Sequence, residues 1–366
     1  MSALLWFAAT LLAQEPSTLD ALIARHTEAA QKAKTFDELT ASARATLAAI
    51  QKLLETKLDA ETAARARAIA CDICADLEDF DGAEAHAKAF LNAWPKHAQA
   101  PYVQLNLGLA RTAAGRDAAA REAFQSLLND HPSDERAPEA RLRIAQSFIC
   151  EGRDREGLEA FAALRATVKG RPEEWPLALQ QAVALQIAGK SGDGRVLLEE
   201  VVKACPMPKL VEVAKRVLAT WLWIGKPARP VEGWDLKEAP VKLDLAAGKV
   251  TVLYFLGTAF PDFEVEAGVM RRLVRKFSPA GVSFLAVAID KDKPKLELDL
   301  ARAGVTWPVV YDGNGFKGPI ASSFAIDTLP MLFLIDRKNV IRYVNPVFGD
   351  HAREIARCLQ ALVSEK

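Results

Sequence analysis

No cysteine stands between Cys205 and Cys358 in this chain of 366 residues. Thiolates are the nucleophiles of disulfide exchange and peroxide reduction, so the gap removes that chemistry from whatever fold the intervening residues adopt. The five cysteines, Cys71, Cys74, Cys150, Cys205 and Cys358, are odd in number and scattered, which excludes a disulfide-built scaffold. Excess charge is lacking too. Lys+Arg and Asp+Glu stand at 47 each, so no net field gathers a polyanion, and nucleic acid is not an expected partner. Beyond the N-terminus no apolar run approaches the length of a membrane span. A glycine-rich phosphate loop, a nucleophile elbow and a His-Glu-x-x-His pair are all missing, and the five histidines never cluster in sequence. No cofactor and no metal is therefore expected, and a hydrolase would lack a recognisable nucleophile and base.

Half the residues are hydrophobic and 26% are charged, a globular composition with room for two or three domains. The chain opens on an apolar block, Ser2 to Ala13, broken abruptly by Gln14-Glu15-Pro16. Too short to span a bilayer and ending in a small residue, residues 1–13 read as a signal peptide cleaved after Ala13, although a basic start is absent. Export to a periplasmic or extracellular location is the expectation.

From Pro16 to about Trp223 the sequence is rich in Ala, Leu, Glu, Arg and Lys at helical spacing. Gly115, Gly152 and Gly189 lie 37 residues apart, as do Pro95 and Pro132, and Pro101 and Pro138. Such a period in helical sequence predicts stacked helix-turn-helix units, each too small to bury its own apolar face. The best copy carries Gly108, Gly115, Ala120, Phe124 and Pro132. The next keep Ala145, Phe148, Gly152, Phe161 and Leu164, then Ala182, Leu185, Gly189, Leu198, Val201 and Pro206. This unit resembles a tetratricopeptide repeat, with Gln104 where that pattern carries an early Trp. The resemblance covers about Ala60 to Pro206 and implies a surface for a protein or peptide partner.

The period also places Cys71-Asp72-Ile73-Cys74. One period back from Gly108 and Arg111 stand Cys71 and Cys74, both at helix packing positions, where buried Cys behaves as a small hydrophobe. A redox pair normally follows a strand, and a zinc site needs a second pair of ligands; His86 and His97 read as isolated and exposed.

The remainder alternates strands and helices. Strands are predicted over Val250–Leu256, Val282–Ile289 and around Trp307–Tyr311, helices over Phe263–Phe277 and Pro294–Ala303. A hairpin of Met331–Ile335 and Val340–Val344 and a helix from His351 to Val363 close the chain, while Pro230 to Pro240 reads as a hinge. The run Phe255-Leu256-Gly257-Thr258-Ala259-Phe260-Pro261-Asp262-Phe263-Glu264-Val265-Glu266 resembles the active-site turn of a TlpA-type thioredoxin-like domain, Phe-Trp-Ala-x-Trp-Cys-Pro-x-Cys-x-x-Glu. Both thiols are replaced, by Phe260 and Phe263, and the preceding Trp by Ala259. Peroxiredoxins share the fold, but no register supplies their cysteine. The segment Thr328-Leu329-Pro330-Met331 is similar to the family's second landmark, which implies a cis bond at Pro330. Tyr254 stands where related domains often place a buried acid, and a phenol does not replace a carboxylate near neutral pH.

The sequence is thus identified as a multidomain chain, α then α/β: a tetratricopeptide-like helical solenoid over 16–224 and a thioredoxin-like α/β/α sandwich over 225–366. The expected role is protein binding or scaffolding by a redox-inactive domain. No catalytic residue is expected at Ala259, Phe260, Pro261, Asp262 and Phe263, and Phe260, Phe263, Leu329 and Met331 form a candidate apolar binding patch. The competing expectation is a thiol-disulfide oxidoreductase of the same family with its thiols moved elsewhere, as to Cys71 and Cys74.

Overall fold

The computed structural model describes residues 18–243, 248–347 and 351–365. The segment read as a signal peptide lies outside them. Two compact units divide the chain, residues 1–147 and 148–366.

The first unit is helical: α1 (Thr18–Lys32), α2 (Phe36–Leu54), α3 (Ala60–Asp76), α4 (Phe80–Ala93), α5 (Ala100–Ala113), α6 (Asp117–Asp130) and most of α7 (Ala137–Glu151). Thr35, Asp59 and Asp79 start α2, α3 and α4 by accepting backbone N–H groups with their side chains, which satisfies donors that the first helical turn leaves free. The sequence period reappears in the structure. Helices α5, α7 and α9 (Glu174–Ile187) begin 37 residues apart, as do α6, α8 (Asp154–Thr167) and α10 (Ser191–Ala204). Gly115 sits at φ +75°, Gly152 at +84° and Gly189 at +75°, a conformation that side chains with a Cβ rarely take and that ends each first helix. At Gly108 an added Cβ would stand 2.2 Å from Phe124 Cε1, so the helices α5 and α6 touch because that residue has no side chain. Phe90 and Leu127, equivalent by the period, are both fully buried.

In the second unit α8, α9, α10 and α11 (Pro208–Thr220) lead through a 3-10 turn, Trp221–Trp223, into a sheet. Pro230 to Pro240 is not a bare hinge. It folds into a two-stranded antiparallel ribbon, β1 (Glu232–Trp234) and β2 (Pro240–Lys242). Asp235 closes its turn by accepting from the N–H groups of Lys237 and Ala239, and that side-chain cap makes a pairing where the prolines suggested none.

The main sheet is mixed, in the order β5-β4-β3-β6-β7: β3 (Thr251–Leu256), β4 (Ser283–Ala288), β5 (Val309–Tyr311), β6 (Met331–Ile335) and β7 (Ile341–Val344). Strands β3, β4 and β5 run parallel, and β6 and β7 are antiparallel to their neighbours. Helix α12 (Phe263–Phe277) follows β3, α13 (Lys293–Arg302) follows β4, and α14 (Pro319–Ser323) precedes β6; α15 (His351–Ser364) ends the chain and packs on α12. One face of the sheet, carrying Leu253, Phe255, Leu285, Val287 and Phe333, shares a single core with Trp221, Leu198, Val201 and Ala182 of the helical segment. Rings of Trp223, Phe255, Phe324 and Phe333 meet there with centroids 5.4 to 6.3 Å apart. Gln186 of α9, 1% exposed, donates to the carbonyl of Val344 at 3.1 Å and accepts its N–H at 3.2 Å. A side-chain amide thus caps part of the edge strand that would otherwise show unpaired backbone. Among the described residues no helix is long and apolar enough to cross a membrane.

Candidate functional site

The turn that leaves β3 is built from backbone and one carboxylate. Thr258 donates both its N–H, at 3.0 Å, and its hydroxyl, at 2.8 Å, to Asp290 at the end of β4. Phe260 N–H reaches the Gly257 carbonyl at 3.2 Å and Phe263 N–H that of Phe260 at 3.1 Å, which curls the chain into α12. Helix α12 opens with Glu264 and Glu266, acids that suit the positive end of the helix dipole.

The two phenylalanines of this turn differ. Phe263 is 6% exposed and belongs to the core, whereas Phe260 keeps 41% of its surface open. A Cβ added at Gly257 would stand 2.8 Å from Leu329 Cδ1 and 2.9 Å from Phe260 Cδ2, so the Phe260 ring and Leu329 converge on that glycine. Met331, paired with Phe255 across β3 and β6, is 2% exposed and lies in the sheet core. Of the four residues expected to make an apolar patch, Phe260 and Leu329 are brought together at the surface, while Phe263 and Met331 are withdrawn from it.

The Leu329–Pro330 peptide bond is cis. Asn345 holds this loop, donating to the Pro330 carbonyl at 3.1 Å and accepting from Leu332 N–H at 2.6 Å. Neither Asp290 nor Asn345 was singled out from the sequence, since nothing near them marks a partner over 30 residues or across a hairpin. Between the turn and α13 lies a cleft of about 420 Å³, lined by Ala259, Phe260, Pro261 and Glu264 on one side and by the ion pair of Lys295 and Asp299 on the other. Tyr254, 3% exposed, faces α12; burial, and then the Glu266 carboxylate, push its phenol well above the usual range, so it gives up no proton near neutrality.

Cys71 and Cys74 lie on α3, exposed by 1% and 0%. Cys74 packs closely enough that a Cβ on Gly82 would stand 3.0 Å from its sulfur. Burial raises both thiols, Cys74 to about 12, the carboxylates of Asp72 beside Cys71 and Asp79 beside Cys74 acting in the same sense. Cys358 is likewise buried and raised. His86 and His97 are half-buried rather than exposed: His97 rests against the edge of the Phe90 ring and reaches Glu61 at 3.0 Å. Among the described residues no group of three or more His, Cys, Asp or Glu side chains could hold a metal ion.

The strand order, the turn after β3 and the cis-proline loop beside it define a thioredoxin-like α/β domain. The AhpC/TSA family pattern matches residues 224–344. Thiol-disulfide oxidoreductase ResA of Geobacillus kaustophilus is 30% identical over 140 residues, 38% of this chain and 78% of that protein. ResA of Geobacillus thermodenitrificans is 29% identical over 110 residues, 30% of this chain and 62% of that protein. Among solved structures, a thiol-disulfide oxidoreductase from Bacteroides fragilis is 18% identical and covers 37% of this chain and 99% of its own, with a TM-score of 0.34. A thiol:disulfide interchange protein from Chlorobium tepidum is 19% identical over 38% of this chain and 97% of its own, with a TM-score of 0.33. The chain belongs, through this domain, to the AhpC/TSA family, with thiol-disulfide oxidoreductases of the ResA type as its homologues.

Proposed function

We propose that this is an exported binding or scaffolding protein whose thioredoxin-like domain is redox-inactive and whose tetratricopeptide-like repeats hold a protein or peptide partner. One observation carries the reading: both thiol positions of the active-site turn are phenylalanines, Phe260 and Phe263. A phenyl ring neither ionises nor forms a mixed disulfide. The domain organisation that goes with it is a signal over 1–13, repeats over 16–224 and the thioredoxin-like domain over 225–366.

The homologues' name, thiol-disulfide oxidoreductase, offers the competing reading, in which other cysteines carry the exchange. The buried, high-pKa thiols of Cys71 and Cys74 weigh against it, since exchange needs an accessible thiolate. Insulin reduction by the full-length chain, with thiol titration of the native protein, tests the choice. The expected result is no turnover and slow or absent labelling of Cys71 and Cys74. Turnover that disappears in Cys71→Ser would overturn the reading.

A further inference from the structure

Helices α4, α5 and α6 of the first unit enclose a cleft of about 650 Å³, within the roughly 300–1,000 Å³ usual for ligand clefts. Gln104 and Arg111, both on α5, line it. In the tetratricopeptide pattern that this stretch resembles, Trp and Tyr occupy those two places around the Leu-Gly pair that is here Leu107-Gly108. The cleft therefore opens where the pattern would supply two rings and this chain supplies none. Arg111 is held aside, its guanidinium donating to Glu84 at 3.0 Å and to the Ala119 carbonyl at 2.8 Å.

Gln104 is the deepest polar group, with 7% of its surface exposed. Its Nε2 donates to Asp130 Oδ2 at 2.8 Å. A carboxylate only accepts, so this bond fixes the amide and leaves Oε1 as the free acceptor, and Oε1 has no partner. His131 Nε2, on the same cleft, is also buried without a partner. Leu107 and Ala123 are buried apolar walls, and Leu91 is half-buried beside them. Charges of both signs line the cleft, Lys88, Lys96 and Arg111 together with Glu122 and Asp130, which suits an uncharged group rather than a phosphate or a polyanion.

We propose that this cleft receives a tryptophan side chain presented by a partner polypeptide, its indole N–H donating to Gln104 Oε1 and its ring lying against Leu91 and Leu107. Tryptophan combines a large apolar body with one donor and no acceptor, so its ring suits the Leu91, Leu107 and Ala123 wall of this otherwise polar cleft and its N–H suits the unpaired Gln104 Oε1. The inference deepens the reading of the repeats as a protein-binding surface and rests on it.

Titration calorimetry of the full-length chain with N-acetyltryptophanamide tests the assignment. Saturable binding is expected, with the 1-methylindole analogue and N-acetylphenylalaninamide weaker by about tenfold or more, because each leaves the buried acceptor unpaired. Gln104→Trp is expected to fill the cleft, raise the melting temperature and abolish that binding. Gln104→Leu keeps the volume and removes the acceptor, so it is expected to bind the parent and 1-methyl compounds alike; it carries the test if the Trp variant does not fold. No saturable binding to the native chain, equal affinity of the native chain for the parent and 1-methyl compounds, or tighter binding of free tryptophan than of its amide would overturn the proposal. None of these outcomes bears on thiol turnover, so failure here and failure of the redox-inactive reading are read separately.

Discussion

The chain departs from the patterns it resembles in two places, and in opposite directions. At Phe260 and Phe263 small thiols are replaced by rings; at Gln104 and Arg111 rings are replaced by polar side chains. The first change is absorbed only in part: Phe263 enters the core of its unit and Phe260 lies over Gly257, while a cleft of about 420 Å³ stays open beside Ala259, which stands in place of the pattern's Trp. The second leaves a cleft of about 650 Å³ with an unpaired amide oxygen. Replacing a reactive group is absorbed when a larger apolar side chain faces existing core, whereas removing a packing group leaves volume that nothing else in the repeat refills.

The sharpest way to break the comparison lies in the turn itself. Phe263→Ala should cost about 3–5 kcal/mol, the range for truncating a buried Phe. Phe260→Ala, at a site already 41% open, should cost less than about 1 kcal/mol. Chemical denaturation of both variants checks this, and similar losses would mean that the two rings are packed alike. A smaller effect is expected in the repeat. Gly108→Ala places a methyl 2.2 Å from the Phe124 ring and should destabilise its unit by about 1–3 kcal/mol. The thermal midpoint reads it, and Phe124→Leu in the same chain should recover part of the loss. No loss at all would show that α5 and α6 have slack, and the Gln104 cleft would then be one void among several.

Much of this was legible in advance. The period of 37 residues predicted helices whose starts repeat at that interval, and helix Phe263–Phe277 stands where the sequence placed it. Punctuation by glycine and alternation of apolar residues are local signals, and they suffice for elements. What escaped was pairing. The ribbon β1–β2 hides behind two prolines because Asp235 caps its turn with its own side chain. The clasp between Gln186 and Val344 joins residues 158 apart, and the shared core of Trp221 with the sheet follows from that docking rather than from any motif. In the candidate site the residue types were readable but their exposure was not. Both faces of β6 are covered, so Met331 is buried whichever face it takes, and the first turn of α12 buries Phe263, whereas Phe260 three residues earlier stays out.

Two carboxylates of the helical unit give the last comparison, whose effect is confined to separate limbs of the pH profile. Glu84 is brought down to about 2: burial alone would raise it, but donors from Lys88, Arg111 and Arg116 overcome that. Its folded value lies below its unfolded one, so its stabilisation is present above about pH 4.5 and is lost as pH falls toward 2. Asp72 is pushed up to about 7, first by burial and also by the Asp76 carboxylate, against hydrogen bonds donated by Tyr102 and Asn106 at 2.8 Å each. Its folded value lies above the unfolded 3.8, so its contribution is fully present below that pH and is lost as pH rises through 7. Each group adds a slope of at most ~1.4 kcal/mol per pH unit, with opposite signs in adjoining windows. Urea unfolding of the full-length chain from pH 3 to 8 should therefore show Asp72→Asn flattening the limb between about pH 4 and 7, and Glu84→Gln flattening only the limb below about 4.5. A native curve whose Asp72-dependent part rises from pH 5 to 7 would mean that the carboxylate is stabilised as the anion, and that the Tyr102 and Asn106 bonds outweigh its burial.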